Sequence, residues 1–403
     1  MSELSTIAEA YVRLVLAVGL HDPGYVDAYI GPQAWRDEAQ HLPLAQLQQQ
    51  AADLLGRIAA LSDSDVEQKA RQAFLRLQIA SVKTYIEQLM GQLLPFDQES
   101  LALYDAVSPP LTPADLDATL AELDALVPGQ GELNARLSAY NRQFEIPRDK
   151  LDAVFTAAVN EARARTLRYI ALPDNESFEI AYVNNQVWSA YNWYKGNNRS
   201  LIEVNTDFPM FISRAIDLAS HEAYPGHHVF NLLLEQDMVQ QKNWVEYAVY
   251  PLYSPMSFLA EGSANYGIEI AFPHAERMQF EKSVLFPLAG IDPAKAELYY
   301  QIQAVLQQLS YSGNMVAKRY LDGEIDRDAA IAMLMKYSLS DAERSAQRLR
   351  FIEHNRSYVI NYNLGQDTVQ AFVEKRAGKT DAALRWQVFT ELLRNPVSAS
   401  MMH

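Results

Sequence analysis

Three of the eight histidines fall inside His221-Glu222-Ala223-Tyr224-Pro225-Gly226-His227-His228, with a carboxylate directly after the first of them. The chain has no cysteine, so a transition metal would have to be held by imidazole and carboxylate. A catalytic zinc site needs two imidazoles from one helix face, a third ligand and an open position for water. The regular helical solution is His-Glu-x-x-His, which spaces the ligands four residues apart and aims the Glu at the metal-bound water as general base. Here position 225 is Pro, and the next histidines stand six and seven residues after the first. Six residues turn a helix through about 600°, which would put His227 on another face from His221. Pro225 cannot donate a backbone hydrogen bond and crowds the preceding turn, and Gly226 can adopt dihedrals closed to other residues. Looping two residues out at Pro-Gly leaves His-Glu-Ala-Tyr-His, making His227 the second ligand and leaving His228 behind it or facing substrate. Looping out three gives the ligand role to His228 instead; the smaller bulge is preferred, because bulges at functional sites are usually small.

The third ligand is expected from another helix. Glu261 lies 33 residues beyond His228 among the small residues Ala260, Gly262, Ser263 and Ala264, which permit close helix packing. A closed structural zinc site would want four protein ligands; the pattern offers three and a spare His. Glu261 at this distance resembles the carboxylate ligand of thermolysin-like zinc peptidases.

His-Glu-x-x-Pro-Gly-His-His followed by Ala-Glu-Gly resembles the bacterial domain-of-unknown-function 885 family, a divergent relative of the glutamate-liganded (gluzincin) peptidases. The resemblance spans roughly residues 150–395 and includes Leu201 to Thr206 and the Tyr-x-x-Gly segment Tyr362-Asn363-Leu364-Gly365. It departs at Ser263, where the family has an aromatic residue, and at Phe230, where it has Gln. It implies one zinc ion held by His221, His227 and Glu261, with Glu222 as general base. A Tyr or His from the C-terminal helices would stabilise the oxyanion: Tyr362 first, then Tyr311 and His354. Substrate contacts would come from Arg350, His354 and Asn205, with the strand Leu201–Asn205 pairing with an extended peptide by edge addition. Arg344, Arg348 and Arg350 otherwise read as a solvated helix face. The expected function is zinc-dependent hydrolysis of short peptides or small amides. The rivals are a zinc amidase or esterase, and a non-catalytic binding protein on a degenerate peptidase scaffold.

The elements that must position these residues are mainly helical. Apolar residues recur at three- and four-residue spacing over 51–61 and 66–90; Thr112 and Asp115 mark another helix start; 149–170 is helical in period. Segments 178–183 and 200–205 alternate with period two, and the Gly and Asn of 195–198 suit a tight hairpin turn, giving a small antiparallel meander over 178–206. Asp207-Phe208-Pro209 reads as the start of the His helix, and helices are expected over 292–322, 326–337, 340–355, 366–377 and 380–394. The predicted fold is therefore mainly α and two-lobed, with a small antiparallel sheet beside the active-site helix. Three regions are expected: an N-terminal helical region (1–170), a catalytic core (171–290) and a C-terminal helical region (291–403). A formal charge of −16 excludes a nucleic-acid or anionic-membrane surface as partner. The apolar stretch Tyr11–Leu20 carries Arg13 and follows two acids, so it reads as an amphipathic helix of a cytoplasmic protein and not as a leader.

Overall fold

The computed structural model describes residues 2–62, 65–186 and 188–403. Helices dominate, as expected, and the strands are β1 (Val26–Tyr29), β2 (Ser177–Val183), β3 (Ala190–Gly196), β4 (Arg199–Asn205) and β5 (Val249–Pro251). The N-terminal helices Glu3–Val18, Leu44–Ala59 and Val66–Leu89 follow the apolar spacing of the sequence. In the first of them Tyr11, Val12, Val15 and Val18 are buried in the core. Helix Pro113–Leu126 starts where Thr112 and Asp115 predict, with the Thr112 amide donating to the Asp115 carboxylate at 2.7 Å. One apolar core runs from these helices to the C-terminal ones. A buried Arg71–Glu246 pair, with contacts of 2.6 and 3.0 Å, ties the N-terminal helices to the segment before β5. Among the described residues no helix is long and apolar enough to cross a membrane.

β3 and β4 form the predicted antiparallel hairpin, turning through Asn197 and Asn198 at φ 52° and 61°. β2 joins the other side of β4 in parallel, so the order is β2-β4-β3 and the sheet is mixed rather than a plain meander. This corrects one expectation: β4 has both sides paired, so Leu201–Asn205 offers no free edge to a substrate. Its buried face, Ser200, Ile202 and Val204, rests against the second half of the His motif. β1 pairs antiparallel with β5 just ahead of the helix that carries Glu261, which brings N-terminal residues beside the motif.

Asp207 does not cap the His helix. Its carboxylate accepts from Asn184 and from the amide of Asn185, at 3.1 and 2.7 Å, and the helix begins at Ile212. The span 292–322 is broken into helices Ala296–Gln307 and Ser312–Leu321. The helix expected from 366 begins at Ile360, so Tyr362 and Gly365 lie inside it; the reason is the close crossing described below.

Candidate metal centre

The His motif is a helix broken at the point the Pro-Gly pair predicts. Ile212–Leu218 is α-helical, Ala219–Ala223 widens into a π turn, and a new helix starts at His227. Across the break the Tyr224 amide reaches back to Ala219 O (3.2 Å) and the Gly226 amide to Ser220 O (2.9 Å). These are five- and six-residue spans in place of the usual four, which is how the surplus residues are absorbed. Gly226 is required by space: a Cβ there would lie 1.8 Å from His221 O and 2.4 Å from Ser220 O. The result brings His227 Nε2 to 3.1 Å from His221 Nε2.

Glu261 sits on helix Pro255–Ala271, started by Pro255 and by the Ser254 hydroxyl, which accepts from the Ser257 amide at 3.3 Å. This helix crosses Ile360–Ala377 with almost no separation at Gly262 and Gly365. A Cβ on Gly262 would stand 2.4 Å from the Gly365 carbonyl carbon, and one on Gly365 would stand 2.9 Å from Gly262 Cα. The Glu-Gly and Tyr-x-x-Gly segments are thus the two halves of one helix crossing. The crossing sets the aromatic residues of the second helix over the carboxylate of the first. Tyr358, in the short turn leading into that helix, donates to Glu261 Oε1 at 2.8 Å. That turn is held in place by buried Glu99, which accepts from Arg356 and from the Ser357 hydroxyl, each at 2.6 Å.

His221 Nε2 lies 3.2 Å from Glu261 Oε2, and His227 Nε2 lies 3.7 Å from Glu261 Oε1. The other nitrogen of His221 donates to Asn265 Oδ1 at 2.8 Å, and the Asn265 amide donates to Tyr362 O at 2.8 Å. Asn265 therefore fixes the tautomer that leaves the Nε2 lone pair directed at the cluster, the usual arrangement behind a ligating imidazole. Glu261 Oε2 is buried with no hydrogen-bond donor. Glu222 projects from the π turn beside the cluster; its carbonyl accepts from Asn192 of β3 at 2.7 Å.

The charges do not balance. Asp27 from β1 lies within electrostatic reach of His227, Glu261 and Glu222. Among the described residues none of these three carboxylates makes a direct ion pair with Lys or Arg; Arg214, which pairs with Asp217, acts on Glu222 only from a distance. Burial pushes Asp27 up to about 7, reinforced by Glu261 and Glu222 and opposed by His227. Burial also raises Glu222, with His221 and His227 partly offsetting it. Glu261 is pulled the other way: burial favours its neutral form, but the two imidazoles outweigh it and hold it below the usual carboxylate range. His227 is pushed up to about 9, because Glu261 outweighs the effect of burial. Isolated buried charges are costly, and a divalent cation would neutralise this excess. The donors fit one. His221, His227 and Glu261 form a set whose ligand atoms lie within 4.8 Å of one another, and their closest separations match the ~3.3 Å edge of a tetrahedron with ligands near 2.0–2.1 Å. The His221 and His227 side chains keep 13% and 12% of their surface exposed, so the cluster is not sealed from solvent.

The remaining expected site residues divide clearly. Tyr362 lies near the cluster: its ring packs edge-on against Tyr358 at 5.7 Å, and the Tyr358 hydroxyl donates to Glu261; burial above all, with Glu261 next, raises its phenol well above the ordinary range. His228 lies outside the His221, His227 and Glu261 set. It is fully buried, one ring nitrogen is 2.8 Å from Ser200 Oγ and the other 3.1 Å from Glu176 Oε1. Glu176 also takes the Tyr224 hydroxyl and Arg163, so His228 pins the motif to β4 from behind. Tyr311 donates to Asp367 at 2.6 Å, which occupies its hydroxyl. His354 is exposed and lines a separate cleft of about 350 Å³ with His21 and Tyr253. Arg350 points to solvent. The Asn205 amide donates to Gln186 O and Trp188 O, at 3.1 and 3.0 Å, so it holds a loop and has nothing left for substrate. Sequence reading missed Asn265, Tyr358, Glu176 and Asp27. Only Asn265 carried a local signal, standing one helical turn after Glu261.

Neither a family model nor a curated protein matches this chain. Its fold resembles a crystal structure from Colwellia psychrerythraea, of a protein provisionally named a lipoprotein: TM-score 0.53 at 16% identity, covering 91% of this chain. The chain spans 63% of that protein's length. A second structure, of a provisionally named lipoprotein of unknown function from Shewanella oneidensis, gives a TM-score of 0.49 at 14% identity over 92% of this chain and 74% of that one.

Proposed function

We propose that the protein is a zinc-dependent hydrolase acting on short peptides, with His221, His227 and Glu261 holding one zinc ion. The observation that carries this reading is the convergence of two imidazole nitrogens and an orphaned carboxylate oxygen beside a buried, unpaired Glu222. When bound, zinc supplies a Lewis acid for the scissile carbonyl and lowers the pKa of a water molecule. Glu222 accepts the proton of the attacking water as the new carbon–oxygen bond forms. It then delivers that proton to the leaving nitrogen as the carbon–nitrogen bond breaks. Burial makes Glu222 a stronger base than a solvated carboxylate. Tyr362, protonated at any working pH, donates to the oxyanion. Asn265 and Tyr358 hold His221 and Glu261 in position. A cytoplasmic location remains part of this reading; at 16% identity the Colwellia protein bears on the fold alone.

Glu222→Gln tests the assignment. It removes the base and keeps the shape, so turnover of a peptide library should vanish while about one zinc per chain remains. Turnover that survives the substitution would sink the mechanism. A wild-type protein that holds zinc and cleaves nothing would favour a binding scaffold.

A further inference from the structure

Half-buried arginines in this protein are, as a rule, anchored. Arg163 pairs with Glu176, Arg165 with Glu161, Arg277 with Asp217, Arg356 with Glu99 and Arg394 with Asp237, and Arg385 is held by the Tyr266 hydroxyl. Two depart from the rule. Arg344 and Arg348 stand one turn apart on helix Ala342–Asn355, both half-buried. Among the described residues neither guanidinium has a carboxylate or hydrogen-bond partner. They rest on aromatic faces, Arg344 over Phe208 at 5.2 Å and Arg348 over Phe351 at 5.0 Å. Arg348 is the deeper: a Cβ on Gly313 would touch its guanidinium at 3.6 Å. Burial lowers its pKa with no acid to restore it, and only the Tyr362 phenol acts against that shift. With 50 Asp and Glu against 34 Lys and Arg, an unpaired, desolvated cation is unexpected unless its partner arrives from outside.

Its place says which partner. Arg348 lies over Phe351, whose ring centroid is 6.5 Å from that of Tyr362; Tyr362 in turn packs edge-on against Tyr358 at 5.7 Å, and the Tyr358 hydroxyl donates to Glu261 at 2.8 Å, so one layer of aromatic rings joins Arg348 to the candidate metal ligands. A guanidinium fork matches a carboxylate with two parallel hydrogen bonds, and successive Cα atoms of a peptide are 3.80 Å apart. A carboxylate held by Arg348 at this aromatic layer is thus a short stretch of peptide from the bond being cut. We propose that Arg348 anchors the C-terminal α-carboxylate of the peptide, with Arg344 adding positive potential one helical turn away, so that the site trims peptides from the C-terminal end. This rests on the hydrolase reading for its substrate class and adds a specificity-determining residue. Arg350, the arginine first suspected, is exposed on the far side of the same helix; the identification moves by two residues because a helix turns 200° over that distance.

The test uses the full chain loaded with zinc, in a Glu222→Gln background so that ligands bind without being cut. Affinities are measured by calorimetry for N-acetylated dipeptides with a free carboxylate and for their C-terminal amides. The free acids should bind at least about 30-fold more tightly, the lower end of what losing one partner of a buried charge pair costs. Adding Arg348→Gln should bring the ratio close to one with zinc content and melting temperature unchanged, and Arg348→Lys should recover part of it. Equal binding of acid and amide, or no binding of any free acid at millimolar concentration, overturns the proposal. So does a preference that survives Arg348→Gln, which would put the carboxylate on the metal. A preference shown to run through Arg348 upholds the anchor even if wild-type protein cleaves nothing, in which case the hydrolase reading alone fails. Wild-type cleavage of acids and amides at equal rates has the opposite meaning.

Discussion

Adding one methyl group at Gly262 should separate catalysis from stability. In an exposed helix, Gly→Ala stabilises by about 0.4–1 kcal/mol through the unfolded chain. Gly56 is the internal control, since a Cβ there meets nothing within 4 Å. At Gly262 the added carbon would lie 2.4, 2.5 and 2.8 Å from the carbonyl carbon, oxygen and Cα of Gly365. Carbon atoms in contact want about 3.5 Å or more, so helices Pro255–Ala271 and Ile360–Ala377 must part by roughly 1 Å. The obstacle is backbone, which cannot swing aside. Overpacking of this kind costs about 1–3 kcal/mol. Unfolding entropy of about 2.1 cal/mol/K per residue over 403 residues converts that to a fall in Tm of only about 1–4 °C. Turnover should suffer far more. The parted helices carry Glu261 on one side and Tyr358 and Tyr362 on the other, and a displacement of about 1 Å can cost on the order of 100-fold in rate. Zinc should stay, because the ligands lie on the His motif and the first helix. The assay combines calorimetric Tm, zinc content and kcat/KM for Gly262→Ala and Gly56→Ala. Unchanged kcat/KM in Gly262→Ala, or a rise in Tm matching that of Gly56→Ala, would refute the claim that this crossing positions the tyrosines.

The two adjacent histidines should behave oppositely. His227→Ala should abolish binding of the single zinc, whereas His228→Ala should keep it and lose roughly 1–3 kcal/mol of stability from the unsatisfied Ser200 and Glu176; zinc lost only in the His228 variant would reassign the ligand. Zinc affinity should depend on pH with a defined sign. His227 is raised to about 9 in the metal-free protein, so at neutral pH the ion must displace a proton. Affinity should climb by about tenfold per pH unit up to that value and then level, with proton release read by calorimetry in buffers of different ionisation enthalpy. The metal-free protein should show the reverse trend. A raised His contributes stability that is complete below its unfolded value near 6.5 and is lost as pH rises through about 9, so its urea midpoint should fall across that window. Parallel rather than opposed trends would show that His227 is not the proton being displaced.

The residues that could do chemistry, and the way round their awkward spacing, were readable in the chain itself. Pro225 and Gly226 cannot continue a helix through that turn, and a detour of two or three residues returns an imidazole to the face of His221; the widened turn at Ala219–Ala223 is that detour. Glu261 was legible for a related reason, since small residues flanking a carboxylate signal a helix that packs closely. The hairpin turn at Asn197-Asn198 and the Thr112–Asp115 helix start are equally local, fixed by dihedral preference and side-chain reach. What the tertiary structure decided is everything that depends on the direction a side chain takes between elements. His227 and His228 differ by about 100° on a helix, and only the packing of β4 and Glu176 behind the motif shows which of them faces Glu261. Asp27 and Glu99 lie in a region with no local signal, and reach the centre because β1 pairs with β5 and helix Phe96–Tyr104 braces Arg356 and Ser357. Arg348 rather than Arg350 turns inward for the same reason. One turn of helix contains both, and a linear sequence carries the period of that helix but not the side from which its neighbours approach.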